Sequence, residues 1–396
     1  MSPDAALVDA VLRDALDGHG ETALMERLCV RLVAAGVPLV RGAVACDFLD
    51  PSFDAHGVRW HRGEPAVLES FSRDSDTRSR REWEASPFYA LVHSDEARLR
   101  RRLDDGYRAG EFPVLDEFRL KGVTDYIAMV ERVRGSTWIG ETRGVVGSWA
   151  TDAPGGFTDA AINRLAAVMP ALATAFLGRT MHRTTAALLA TYLGRDAAER
   201  VLAGNVIRGR AEPIRAVVWF ADLVGFTRIS DTTAGEAVLA MLNEYAEAEV
   251  EAIESHGGHV LKFIGDGLLA IFPGADDASA CLGALDAAAD FRTRIAALNA
   301  RRSAAGLPVT DAHVALHVGE VLYGNVGSPR RLDFTVLGAA VNEAARIEAM
   351  CGSLDRPVIV SSAFAQASGA ARSRLVSLGR YALKGVAKPQ ELFTPD

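Results

Sequence analysis

The chain is poor in cysteine: Cys29, Cys46, Cys281 and Cys351 lie far apart and match no metal or redox spacing. That excludes a disulfide framework and a thiolate metal site, and reads as reduced thiols. There is no basic excess either, since the net charge is -8 and the pI about 5.7, which argues against a nucleic-acid surface. In the densest basic run, from Arg73 to Arg102, the arginines alternate with Asp74, Asp76, Glu82, Glu84, Asp95 and Glu96, as on a solvated helical face. No apolar run approaches the roughly 18 residues of a membrane span. The N-terminal MSPDAALVDAVLRDALDG carries acids where a secretory leader is basic. The expectation is a soluble, cytoplasmic protein with no membrane span and no nucleic-acid partner.

What is present is an ordinary core-forming composition, 49% hydrophobic and 24% charged over 396 residues, enough for two or three domains. Residues 1–178 mix helical stretches such as ETALMERLCVRLVAAG with strand-like runs such as RGAVACDFLD, GVRWHRG, DYIAMVERV and TRGVVGSWAT, an α+β pattern. A turn at Pro154-Gly155-Gly156 and an N-cap at Thr158 start a helix whose Ile162, Leu165, Met169, Leu172 and Phe176 share one face. Pro170 predicts a kink or break there. Residues 179–210 read as a helical connector. Residues 211–396 run strand, helix, strand-turn-strand, helix, strand, the β-α-β-β-α-β order of a ferredoxin-like sheet.

Within that order, FADLVGFT places Asp222 at the end of the first strand, and KFIGDGLLAIFP places Asp266 in the Gly265-Asp266 turn of the neighbouring hairpin. A single Asp in such a place commonly caps its own turn. Two carboxylates able to face each other across adjacent strands suit a hard divalent cation, which takes oxygen ligands together with substrate phosphates. Gly225, Phe226 and Thr227 follow Asp222 and lead into a helix, offering backbone N–H groups to phosphate oxygens.

FADLVGFTRISD, HGGHVLKFIGDGLLAIFP and DFTVLGAAVNEAARIEAM, in this order and spacing, together resemble the catalytic domain of the class III nucleotidyl cyclases from about Ala211 to Phe393. The resemblance implies two magnesium or manganese ions held by Asp222 and Asp266 on a nucleoside triphosphate, with attack of the 3'-hydroxyl on the α-phosphate. It needs no protein nucleophile, in keeping with the lack of any Ser-His-Asp or Cys-His constellation. It implies that Asn342 orients the ribose and that Arg346, four residues on, stabilises charge on the α-phosphate; the plain alternative for Arg346 is a surface pair with Glu343 or Glu348. Lys384, in ALKGVAKPQELF, matches a lysine that meets the terminal phosphates.

Base selection in the family falls at two positions, here Lys262 and Thr335. A lysine donor and a hydroxyl acceptor suit adenine, whereas guanylyl cyclases carry a Glu and Cys or similar pair. ATP is the expected substrate, with a guanylate or dual-specificity cyclase, or an inactive nucleotide-binding or interaction module, as the alternatives. Thr335 in place of the Asp of many adenylyl cyclases resembles the subgroup that includes bicarbonate-responsive enzymes, so bicarbonate or another small molecule is the expected regulator. The resemblance further implies a homodimer with sites at the subunit interface. Residues 1–178 resemble a GAF or PAS-like sensory domain. His56, His61 and His93 have no ligand spacing and read as structural.

Overall fold

The computed structural model describes residues 2–47, 53–72, 77–133, 144–384 and 389–396. Part of the basic run (Arg73, Asp74 and Asp76), Thr142, Arg143 and residues 385–388 of the ALKGVAKPQELF stretch lie outside the described residues. The chain divides into two compact units, Met1–Leu188 and Leu189–Asp396.

The first unit opens with helices α1 (Pro3–Leu16) and α2 (Glu21–Ala34) and strands β1 (Arg41–Asp47), β2 (Phe53–His61) and β3 (Val67–Ser72). There follow α3 (Thr77–Glu84), α4 (Pro87–Val92), β4 (Arg98–Arg102), α5 (Pro113–Leu120), β5 (Asp125–Arg132), β6 (Gly144–Thr151) and the start of α6 (Asp159–Leu193). The six strands form an antiparallel sheet in the order β3-β2-β1-β6-β5-β4. Every residue of β6 is buried because both faces are covered. Leu28, Leu32, Leu165, Met169 and Leu172 pack on one side with Trp149, and Leu91, Phe112 and Leu115 on the other with Val146 and Ala150. The Ala161 N–H donates to Thr158 Oγ1 at 3.2 Å, a side-chain cap at the start of α6.

Two expectations need correction. Helix α6 continues through Pro170 without a break. It also contains an apolar window long enough, by length and composition, to cross a membrane, contrary to the absence read from the sequence. Of that window 56% is buried, and its face of Leu165, Met169, Leu172 and Phe176 fills the core of the first unit, as the core helix of a folded domain does.

The second unit comprises α7 (Arg195–Leu202), β7 (Ala211–Leu223), α8 (Phe226–Thr232), α9 (Gly235–Ser255), β8 (His259–Ile264), β9 (Gly267–Pro273), α10 (Asp277–Ala304), β10 (Ala312–Ser328) and β11 (Arg331–Leu337). It ends with α11 (Ala339–Glu348), α12 (Cys351–Leu354), β12 (Val358–Ser361), α13 (Ser362–Ala367), a 3-10 turn, β13 (Leu375–Tyr381) and β14 (Gln390–Pro395). The sheet order is β13-β14-β12-β10-β7-β9-β8, with β11 paired to β10. The central β10-β7-β9-β8 set is antiparallel and carries the expected βαββαβ connections; β12 adds a parallel pairing to β10. Period-two alternation splits β7 between two cores. Val217, Trp219 and Ala221 meet Tyr245 of α9 and Phe291 of α10, while Ala216 and Val218 meet Ala340 and Ala344 of α11 on the opposite face.

Beneath β7, the Trp219 indole donates to the buried Glu249 carboxyl of α9 at 2.8 Å. Burial raises the pKa of Glu249 from 4.5 to about 7, the Trp219 hydrogen bond opposes the rise, and the charge of Asp222 adds to it. A carboxyl raised on folding favours the native state fully below its unfolded pKa, and that contribution is lost as pH rises through the folded one. Relative to Glu249→Gln, the wild type is therefore expected to lose about 3 kcal/mol of stability between the unfolded and folded pKa values. Urea unfolding of both proteins across that pH range checks this; parallel stability curves would contradict it.

Candidate active site

Asp222 is the second-last residue of β7, and Asp266 sits in the two-residue turn between β8 and β9. Gly265 makes the turn with φ of +66°, a left-handed conformation that glycine adopts without a Cβ clash. Gly267 then permits the close approach: a Cβ there would stand 2.5 Å from the Ala221 carbonyl oxygen and 3.1 Å from Asp222 Oδ1. Strand pairing of Ala221 with Leu268 locks this register.

The two half-buried carboxyls come within hydrogen-bonding reach of each other. Asp222 is pushed up to about 6, first by burial, then by the charge of Asp266 and by their hydrogen bond. Like charges held this close share a proton unless a cation replaces it. All the donors are hard oxygens, which fits magnesium or manganese better than zinc.

A third carboxyl escaped the sequence reading as part of this site. Glu348, at the end of α11, is pushed up to about 7 by burial first and then by the charges of Asp222 and Asp266. It faces His313 Nδ1 at 3.6 Å, and His313 is the cross-strand partner of Asp222 on β10. Its only signal in the sequence was its place two residues after Arg346.

Beyond Asp222, Gly225 adopts a left-handed φ of 64° and starts α8; Phe226 and Thr227 are its first residues, whose N–H groups have no partner a turn earlier within the helix. Asn342 and Arg346 share one face of α11. Arg346 pairs with neither Glu343 nor Glu348: those acids face His317, at 3.9 Å, and His313. Among the described residues Arg346 has no hydrogen bond or ion pair, which leaves a half-exposed guanidinium open to an anion. Lys384 is exposed, immediately before the undescribed residues 385–388.

Lys262 of β8 and Thr335 of β11 line one cavity of about 400 Å³, together with Val326, Asp333 and Leu337. Thr335 is 3% exposed and its hydroxyl has no partner among the described residues. Lys262 Nζ donates to Asp333 Oδ2 at 2.6 Å, so the cavity holds a carboxylate that the sequence reading did not single out.

Residues 211–394 match the family model described as the adenylate and guanylate cyclase catalytic domain. The C-terminal unit is thus a class III nucleotidyl cyclase catalytic domain. It is 32% identical over 192 residues to adenylate cyclase 1 of Rhizobium meliloti, an alignment covering 47% of this chain and 29% of that protein. It is 35% identical over 150 residues to an adenylate cyclase of Anabaena cylindrica, covering 37% of this chain and 29% of that protein. The chain spans less than a third of the length of these curated relatives. Among solved structures, a bacterial light-regulated adenylyl cyclase superposes with a TM-score of 0.49 at 22% identity, covering 56% of this chain and 64% of that one.

A divalent cation binding between Asp222 and Asp266 must displace their shared proton. Mn2+ affinity is therefore expected to fall about tenfold per pH unit below the raised pKa of Asp222. Calorimetric titration from mild acid to neutrality checks this, and an affinity independent of pH would contradict the shared proton.

Proposed function

We propose that the protein is an adenylate cyclase, converting ATP to 3',5'-cyclic AMP and pyrophosphate. The observation that carries the reading is the pair of facing carboxyls, Asp222 and Asp266, in the same domain as a cavity lined by Lys262 and the unsatisfied Thr335 hydroxyl. The names of the Rhizobium meliloti and Anabaena cylindrica relatives agree with it.

In this reading the 3'-hydroxyl gives its proton to water and its oxygen forms a bond to the α-phosphorus while the bond from the α-phosphorus to the pyrophosphate oxygen breaks. Asp222 and Asp266 hold two Mg2+ or Mn2+ ions, which when bound polarise the 3'-hydroxyl and neutralise the departing pyrophosphate. Lys262 donates to the adenine ring nitrogen and the Thr335 hydroxyl accepts from the 6-amino group. Asn342 orients the ribose. The free fork of Arg346 meets the charge that develops on the α-phosphate, where a guanidinium already in place costs little reorganisation. Lys384 and the N–H groups of Gly225, Phe226 and Thr227 receive the other phosphates. A guanylate or dual-specificity cyclase is favoured by one observation only, the Asp333 carboxylate in the base cavity.

The reading includes a homodimer in which one subunit supplies the carboxyls and its partner supplies Lys262, Thr335, Asn342 and Arg346. Supporting it, Val224, Phe263, Ile264, Leu332 and Leu337 are apolar yet exposed on the segments that carry these residues. The reading also makes the N-terminal unit a GAF or PAS-type sensory or dimerisation module, the cytoplasm its location, and bicarbonate or another small molecule its candidate regulator.

Purified protein given ATP and Mn2+ is expected to form cyclic AMP, and Asp222→Ala or Arg346→Ala to lower turnover by at least about a hundredfold. Equal mixing of these two variants is expected to restore about a quarter of wild-type activity, one intact site in each heterodimer. Activity that never recovers in verified heterodimers would sink the shared site, and wild-type protein making no cyclic nucleotide would sink the catalyst.

A further inference from the structure

Beyond Ala221, where its pairing with β9 ends, the end of β7 that carries Asp222 is held by β10 and by the residues that lead into it. Val224 is bound there at both of its backbone groups. Its N–H donates to the Asp311 carbonyl at 2.8 Å, and its carbonyl accepts from the Thr310 hydroxyl at 2.5 Å. The first bond carries the strand ladder one residue further. The second comes from a buried side chain, and the residue that makes it is itself fixed by two helices.

Tyr245 of α9 and Asn299 of α10 close on Thr310 in a ring. The Thr310 N–H donates to the Tyr245 hydroxyl at 3.0 Å, the Tyr245 hydroxyl donates to Asn299 Oδ1, and Asn299 Nδ2 donates to the Thr310 carbonyl at 2.7 Å. Two residues earlier, Arg302 Nε donates to the Pro308 carbonyl at 2.8 Å, so the lead-in is tied down there as well. Tyr245 belongs to the same apolar core as Trp219 of β7 and Phe291 of α10. A buried polar ring with its partners satisfied selects one geometry, and this one passes that geometry to Val224, two residues beyond Asp222.

Carboxyls that are to share a cation have to be placed to within about 0.5 Å. On the Asp266 side the glycine turn and the β7–β9 register do this. We propose that Thr310 does it on the other side, as a positioning residue for Asp222: its hydroxyl, held by Tyr245 and Asn299, fixes Val224 and with it the end of β7, so that the Asp222 carboxyl meets Asp266 at the separation a divalent cation needs. The proposal deepens the cyclase reading and rests on its assignment of Asp222 as a cation ligand. Thr310 acts through the backbone, as the groups that orient metal ligands from behind commonly do.

The test is calorimetric titration of the full-length protein with Mn2+ alone at fixed pH, beside urea unfolding of each variant. Thr310→Val is expected to weaken Mn2+ about tenfold, and Thr310→Ser, which keeps the hydroxyl, to stay within about twofold of wild type. Ser361→Ala removes the side chain that caps α13, where Ser361 Oγ accepts from the Phe364 N–H at 3.0 Å. That variant is expected to unfold at lower urea with its Mn2+ affinity unchanged, which separates positioning from a general loss of stability. Should Thr310→Val not fold, Tyr245→Phe decides: it takes away the anchor of Thr310 and is expected to weaken Mn2+ about fivefold. A folded Thr310→Val that binds Mn2+ as tightly as wild type would overturn the proposal, as would an equal loss in Ser361→Ala or, in the fallback, an unchanged Tyr245→Phe. If the wild type forms cyclic AMP and Thr310→Val binds Mn2+ as it does, only the role of Thr310 falls. If the wild type binds no Mn2+, the reading of Asp222 as a cation ligand falls and this proposal with it.

Discussion

The contact between Asp222 and Asp266 is the constraint around which the catalytic unit is arranged. Two carboxyls pressed together at the edge of an apolar sheet are unfavourable without a proton or a cation between them. The surrounding chain nevertheless enforces the approach: Gly265 makes the turn, Gly267 leaves room for the neighbouring backbone, and the β7–β9 register aligns the strand ends. The charge of Asp222 reaches further, adding to burial in raising the pKa of Glu348 and of Glu249.

Helix α11 rests on the opposite face of the sheet from α9 and α10. Ala340 and Ala344 of α11 pack against Ala216 and Val218, which leaves Asn342 and Arg346 on the outer side. Because Glu343 and Glu348 face His317 and His313, the Arg346 guanidinium keeps its donors unspent among the described residues. In the cavity beside β8 and β11, the buried Thr335 hydroxyl has no partner among the described residues, and Lys262 pairs with the half-exposed Asp333.

Local features of the fold and site were legible in the sequence, and long-range ones were not. The strand ends carrying Asp222 and Asp266 followed from one acid in each apolar run beside a glycine turn, and the Thr158 cap from its place before a helical periodicity. The parallel β10–β12 pairing and the coverage of both faces of β6 depend on contacts that no short window contains. Asp333 lies 71 residues from Lys262, and Glu348 meets His313 across the sheet, so spacing alone showed neither. Helix α6 escaped notice as an apolar span because alanines and scattered arginines dilute its stronger apolar residues, and it runs through Pro170 because packing in the first core outweighs the lost hydrogen bond.

The most direct test is anomalous diffraction from crystals of the protein grown with Mn2+ and 3'-deoxy-ATP. Two manganese peaks bridged by the Asp222 and Asp266 carboxyls, beside the triphosphate, are expected. A nucleotide bound with no metal at these carboxyls, or manganese bound elsewhere while Asp222 and Asp266 keep only each other, would contradict the role assigned to them.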